Sequence, residues 1–337
     1  MKFKAAALMG AAAVAMMAGS VSAADLACLI PKNDTNPFFV KMREGAEAAA
    51  KAAGLDFQAA AGIKDGDAAP QITAIENCVA AGAKGILITP SNDSVGPALK
   101  AARDAGILVI ALDTPLADTE AQDVTFATDN FEAGLLIGKW ALATMGDKAA
   151  TAKIAMLDIN KDNISVDVAR DTGFLTGFGI EVPDLKVMGS ETDPRVIGHE
   201  SSDASPAGGQ KAMETLLAKD PDINVVYTIN EPAAEGAYAA LKAAGKENQA
   251  IIVSVDGGCP GVASVKSGVI GATSQQYPLL MASKGIEAIV AFSKDGTKPT
   301  VSEGLTFFNT GVNLITDKPV DGVPSLDTTK GTELCWG

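Results

Sequence analysis

LACLIPKNDTNPFFVKMREGAEAAAKAAG, residues 26–54, decides the architecture. It opens with a purely apolar run, Leu26–Ile30, breaks at a polar cluster, and continues with Phe39, Met42, Ala46, Ala49 and Ala53 on one helical stripe. A continuous run, unlike an alternating one, is what a parallel strand covered on both faces requires. The same unit recurs along the chain. Gly85–Ile88, Ile107–Leu112, Lys153–Leu157, Ile223–Tyr227 and Ile251–Val255 read as further strands. Ile72, Ile75 and Val79 form a second helical stripe; Met213, Leu216 and Leu217 form a third, and Leu280, Ile286, Ile289 and Val290 a fourth. Strands alternating with helices predict an α/β fold with a doubly wound parallel sheet. The pattern restarts near residue 129, so we expect two Rossmann-like lobes of about four βα units each. The stretch Gly189–Gly209 reads as a long loop, and the Gly-, Pro-, Asp- and Thr-rich tail after Asn309 as a surface wrapping.

The start of the chain has a different character. Lys2 and Lys4 precede an apolar Ala5–Ala18 stretch, and Val21 and Ala23 set up a cleavage site before Ala24. This is the layout of a secretory signal peptide over residues 1–23, and its apolar part is shorter than the roughly 20 residues of a membrane-spanning helix. A retained anchor is the alternative. Removing two lysines and no acid takes the formal charge from −14 to −16. An acidic chain without a Lys/Arg run is a poor match for nucleic acid or an anionic membrane surface. Four cysteines in an oxidising compartment permit two disulfides. Cys28–Cys78 with Cys259–Cys335 is the expected pairing, with buried free thiols as the alternative.

In open α/β sheets, ligands bind beyond the carboxyl ends of the strands. Here those ends deliver Asn33, Asp34 and Asn36; Thr89, Ser91, Asn92 and Asp93; Asp113; Asp158 and Asn160; Asn230 and Glu231; and Asp256. Any one of them can be a turn or helix-cap residue. Taken together they suit a sugar, because planar carboxylates and amides bond two adjacent hydroxyls, at roughly 1.5–3 kcal/mol per charged hydrogen bond. Phe38 and Phe39 beside the first cluster offer faces for sugar C–H groups, or else belong to the core.

The motifs TNPFF (35–39), ILITPSNDSVGPALKAARDAGI (86–107), VIALDTP (109–115), TDNFEAG (128–134), ARDTGF (169–174), TINEPAAEGAYAAL (228–241), VSVDGG (253–258) and SQQYP (274–278) occur in one order. This ordered set resembles the ribose/galactose-type (LacI-like, type I) periplasmic binding proteins over nearly the whole chain after residue 23. The resemblance implies two lobes joined by a multi-strand hinge: residues 24–128 with 277–308, and 129–276 with 309–337. It implies a substrate set of Asn36, Phe38, Phe39 and Asp113 from the first lobe, and Arg170, Asn230 and Asp256 from the second, with Gln276 at the crossing. It further implies a monosaccharide ligand, an ABC transporter permease as partner, a periplasmic location and a monomer. No cofactor or metal is implied. Left to itself, Arg170 next to Asp171 would read as a solvated ion pair.

Two departures bear on specificity. Ribose binders carry an Arg after the carboxylate matching Asp113, where this chain has Thr114; a second-lobe aromatic is replaced by Ala204. Asn33, Asp34, Asp93 and Thr114 are the further candidates to supply the missing contacts. KNDTNPFF, DGGCPG (256–261), NTGVNLITDKP (309–319) and the terminal CWG look most like fructose-type members, which makes D-fructose the leading expectation. An enzyme would need a nucleophile or base, yet His199 is the only histidine and GxSxG, Walker A and GxGxxG motifs are missing. Asp158-x-Asn160-x-Asp162 opens like a calcium loop, but Asn163 and Ala169 stand where Gly and Glu belong. A transport receptor, a sensory sugar-binding protein and a sugar-modifying enzyme are the three classes left. A LacI-type repressor is set aside, because a signal peptide stands in place of its headpiece.

Overall fold

Strands β1 (Leu26–Ile30), β2 (Asp56–Ala59), β3 (Gly85–Ile88), β4 (Leu108–Leu112) and β5 (Val124–Ala127) alternate with helices α1 (Pro37–Ala53), α2 (Ala69–Ala80) and α3 (Gly96–Asp104). The computed structural model describes residues 24–64 and 66–337, so the expected signal peptide lies outside the described residues. The chain then builds α4 (Asn130–Met145), β6 (Ile154–Asp158), α5 (Ser165–Gly177), β7 (Val196–Ser201), α6 (Pro206–Lys219), β8 (Val225–Thr228), α7 (Glu231–Ala243), β9 (Ile251–Asp256), α8 (Cys259–Lys266) and β10 (Ala272–Gln275). It ends with α9 (Pro278–Asp295), β11 (Phe308–Asn309), β12 (Asn313–Ile315) and α10 (Thr328–Leu334).

Two six-stranded sheets result, ordered β11-β5-β4-β3-β1-β2 and β12-β10-β9-β8-β6-β7. All pairings are parallel except β10 with β12. Strands β1, β3 and β4 are apolar throughout because helices cover both faces. In β1, Ala27 and Leu29 enter one core cluster, while Cys28 and Ile30 enter the other. The chain passes between the sheets after β5, after β10 and after β11, and these crossings sit side by side. Thr128 donates to Gln276 Oε1 at 3.0 Å, and the amide of Thr310 bonds the Ala127 carbonyl at 2.9 Å. Cys28–Cys78 and Cys259–Cys335 are disulfides with Cα atoms 6.4 and 5.0 Å apart.

Several expectations need correction. Gly189–Gly209 is not a plain loop: β7 lies inside it as an edge strand and α6 starts at Pro206. β7 was hidden because only one sheet edge covers it, leaving every residue half-buried where the apolar-run signature needs full burial. The α1 stripe runs through Ala50, leaving Ala53 exposed, and Leu280 is 38% exposed. The tail is more than a wrapping. It adds β12 and α10 and buries Trp336, whose ring meets Phe38 edge-on at 5.5 Å and whose indole N–H donates to the Gln276 carbonyl at 2.8 Å.

Helices α4 and α5 approach at backbone contact. Gly134 and Gly138 on α4 face the Arg170 and Phe174 carbonyls, and Gly173 and Gly177 on α5 face those of Phe131 and Leu135. A Cβ at any of the four would collide with backbone that has no rotamer to yield. This contact fixes the N-terminal half of α5, where Arg170 is carried. Gly134→Ala is therefore expected to destabilise the chain by about 1–3 kcal/mol through overpacking, measured by urea unfolding. An unchanged midpoint would contradict this packing.

Candidate functional site

The loop after β1 is built by amide side chains. Asn33 Oδ1 accepts from the Thr35 and Asn36 amides at 3.2 and 2.8 Å, and Asn36 caps α1 by accepting from Phe38 N at 3.0 Å, ahead of Pro37. That capped start turns Phe38 and Phe39 inward, 4% and 5% exposed, with their rings crossed edge-to-face at 5.4 Å. Asp113 follows β4 with φ 64°, and Asp256 closes β9 with φ 135°. Both values are unfavourable for residues with a Cβ, a strain of order 1–3 kcal/mol that concentrates at functional sites. Neighbouring bonds hold them. Asp113 N donates to the Phe126 carbonyl at 2.8 Å, and Gln276 N to the Asp256 carbonyl at 3.0 Å. After Asp256, the amides of Gly257 and Gly258 donate to buried Glu231 at 2.8 and 3.1 Å.

These elements line a narrow, open cavity of about 40 Å³ between the sheets. Asn36, Phe38, Phe39 and Asp113 line it from one side, Arg170, Asn230 and Asp256 from the other, and Gln276 from the crossing. Arg170 is 5% exposed and is not paired with Asp171. Its Nε donates to Asn130 Oδ1 at 2.8 Å, and its Nη1 donates to the Ile229 carbonyl at 3.1 Å and lies 3.8 Å from Asp256 Oδ1. Asn230 caps α7 through Ala233 N at 3.1 Å and donates to the Ala204 carbonyl at 3.2 Å. Gln276 Nε2 donates to Asp256 Oδ1 at 2.7 Å while its Oε1 accepts from Thr128. One amide thus ties a second-sheet carboxylate to the end of a first-sheet strand. The cavity shares Asn36, Ala204 and Asp256 with a wider mouth of about 460 Å³, which Asn33, Glu235 and Trp336 also line.

Among the further candidates, Asp34 and Asp93 are not cavity residues. Asp34 is exposed, and Asp93 accepts from Ala117 N at 2.9 Å on the surface. Asn33 reaches only the mouth, and Thr114 braces Asp113 by donating to its Oδ2 at 2.8 Å. The sequence reading missed Lys32, which is 2% exposed, lines the cavity, and has no ion-pair partner among the described residues. It directly follows β1 and Pro31, so the strand-end rule held the signal, but a lysine in sequence reads as a surface residue. Asn130, which orients Arg170, was also missed although it lies in the TDNFEAG motif. Ala204 does line the cavity, at φ 49°. His199 is not in a loop but on β7, outside the cavity.

Burial pushes the Asp256 carboxyl up to about 6, opposed by the Arg170 charge and the Gln276 bond, and assisted by the Asp113 charge. Glu231 is pushed up to about 8 by burial and by the Asp256 charge, against its bonds from Thr273, Gly257 and Gly258.

This two-sheet architecture with an interlobe polar cavity is that of a solute-binding receptor. A family model described as a periplasmic binding protein domain matches residues 27–298, and the chain belongs to that family. The ribose import binding protein of Haemophilus influenzae is 31% identical over 271 residues, covering 80% of this chain and 86% of that one. The D-apiose import binding protein of Paraburkholderia graminis is 27% identical over 282 residues, covering 83% and 84%. Among solved structures, a solute-binding protein from Actinobacillus succinogenes with bound D-allose matches at TM-score 0.76 and 22% identity, over 92% of this chain and 99% of that one. A sugar transporter structure from Clostridium phytofermentans matches at TM-score 0.73 and 25% identity, over 87% and 100%. The chain is a binding protein and not an enzyme. Among the described residues no helix is long and apolar enough to cross a membrane.

A neutral ligand that donates hydroxyls to Asp256 needs the ionised carboxylate. With burial pushing that group up to about 6, a proton would compete with such a ligand below this value. Affinity is expected to hold above pH 7 and to fall by up to about tenfold per unit below 6, measured by calorimetry from pH 7.5 to 5. A flat profile would contradict the role given to Asp256.

Proposed function

We propose that this chain is the periplasmic receptor of an ABC-type sugar importer, binding one monosaccharide in the interlobe cavity and presenting the closed form to a membrane permease. The observation that carries the reading is that two buried carboxylates, Asp113 and Asp256, reach one cavity from different sheets. Each lobe holds half of the polar partners, so only the closed arrangement satisfies the ligand, and binding shifts the population toward closure. The moving bodies are residues 24–128 with 277–308 and 129–276 with 309–337, and the protein acts as a monomer after export through its cleaved signal peptide. Asn36 and Asp113 meet one edge of the sugar; Arg170, Asn230, Asp256 and Gln276 meet the other, and Phe38 and Phe39 pack its C–H faces.

D-Fructose is the sugar we favour. Thr114 supplies no guanidinium and Ala204 no ring, which weakens the case for ribose. Lys32 supplies a cationic donor at the first-lobe wall of the same cavity. A charged hydrogen bond contributes roughly 1.5–3 kcal/mol, so Lys32→Met should weaken fructose binding by at least tenfold without unfolding the chain. Calorimetry showing less than a threefold change would remove Lys32 from the site.

A thermal-shift screen of fructose, ribose, mannose, galactose and myo-inositol tests the substrate class. A sugar present at a thousand times its Kd stabilises the native state by about 4 kcal/mol, and the largest shift is expected for fructose. Asp113→Ala and Asp256→Ala should each abolish that shift while retaining the fold. Near-normal affinity in both variants would overturn the pocket assignment.

A further inference from the structure

A second polar compartment adjoins the sugar cavity along α5: Val166 and Arg170 line the cavity, while Asp167 and Asp171, one residue further on, belong to the compartment. Strand alternation builds it. Met156 and Asp158 share one face of β6, and Tyr227 of β8 stands level with Met156 on that face. β7 would turn His199 to the opposite face, but a register shift between Ile154 and Ala155 leaves Ile197 without a partner and pairs His199 with Met156. Bulges of this kind re-aim side chains. From above, α5 lowers Asp167 and Asp171, four residues apart, onto the same spot. The loop before β7 adds Glu191.

The compartment is mostly buried, with the His199 side chain 21% exposed, and is short of positive charge. Asp158 is 4% exposed; Asp167, Asp171 and Tyr227 are 0% exposed. His199 Nε2 lies 2.9 Å from Glu191 Oε1, and its Nδ1 lies 2.9 Å from Asp158 Oδ2 and 3.5 Å from Asp171 Oδ2. Asp158 Oδ1, Asp167 Oδ1, Glu191 Oε2, the Tyr227 hydroxyl and both oxygens of Asp171 are buried with no hydrogen-bond partner. Buried charges without partners are costly, and buried polar groups are almost always satisfied. One imidazolium lies within ion-pair distance of Asp158, Asp171 and Glu191, so it brings one positive charge to three carboxylates and leaves both Asp171 oxygens without a hydrogen bond.

We propose that Asp158, Asp171 and His199 bind a divalent cation of the zinc or manganese type, with Glu191 as the carboxylate that orients the imidazole. The ligand atoms of the three residues lie within 4.8 Å of one another. Ligands around zinc at its usual bond lengths are about 3.3 Å apart, and the two Nδ1 separations of 2.9 and 3.5 Å bracket that value. The ring presents Nδ1 to the ion and Nε2 to Glu191, the arrangement in which a second carboxylate fixes the tautomer of a metal-bound histidine. A mixed imidazole and carboxylate set favours zinc or manganese over calcium, which takes oxygen ligands alone. The three ligands come from β6, α5 and β7, so the ion pins an edge strand and the Arg170-bearing helix to the sheet. The site uses none of the cavity residues, so it stands or falls apart from the sugar assignment.

The test uses untagged chain purified from the periplasm of an expression host, because a polyhistidine tag would itself carry metal. Elemental analysis after dialysis is expected to find about one zinc or manganese per chain. Chelator-stripped protein should melt at a lower temperature and recover with one equivalent of Zn²⁺ or Mn²⁺, but not with Ca²⁺. Asp171→Asn and His199→Gln should each reduce bound metal at least tenfold, with the sugar-induced thermal shift retained as evidence of folding. If neither variant folds, the measurements on the unaltered chain decide. A metal-free preparation whose melting temperature responds to neither chelator nor Zn²⁺ or Mn²⁺ would overturn the proposal, as would recovery with Ca²⁺ alone.

Discussion

Burying two carboxylates of like charge in one crevice is the constraint around which this molecule is arranged. Asp113 ends a strand of the first sheet and Asp256 a strand of the second, and both are about 95% shielded from solvent. Each is held in a backbone conformation that costs free energy. The opposing charge comes from Arg170, kept in place by Asn130 and the Ile229 carbonyl, with Gln276 bonded directly to Asp256. Hydroxyl donors arriving between the carboxylates would replace the water each loses on closure. Under the proposed hinge closure, a cleft whose closed form is incomplete without its ligand would open again once the ligand leaves.

The support for this crevice reaches into the scaffold. Glu231, itself buried, receives the amides of Gly257 and Gly258 and the hydroxyl of Thr273, and thereby sets the turn that aims Asp256. The glycine faces of α4 and α5 let Arg170 approach closely enough to reach the crevice. Trp336, carried by a tail tied to α8 through Cys259–Cys335, packs on Phe38 and bonds the Gln276 carbonyl. In the chain-entropy account, loops of this length make each disulfide worth about 4 kcal/mol. The bond from Cys335 thus places an aromatic beside the ligand wall.

Much of this was legible in the sequence because parallel strands buried on both faces leave unmistakable apolar runs. β1, β3 and β9 coincide with such runs within a residue. β2 and β7 were not legible, since edge strands are half-exposed and carry residues such as Gln58 and His199. The cavity set could be read because strand ends point to one place in this topology. Asp34 and Asp93 fit the same rule, but the first turns outward and the second serves a neighbouring loop. Lys32 was not legible for the opposite reason: a lysine reads as surface unless three-dimensional packing covers it. The group around His199 was beyond sequence reasoning, since it depends on a bulge and on residues up to 41 positions apart.

A crystal structure of the chain with D-fructose tests the central claim most directly. The account predicts one sugar between the lobes, hydroxyl oxygens within about 3 Å of both Asp113 and Asp256, and its ring against Phe38 or Phe39. A sugar held by one lobe alone, or seated only in the outer mouth without reaching Asp113, would contradict it.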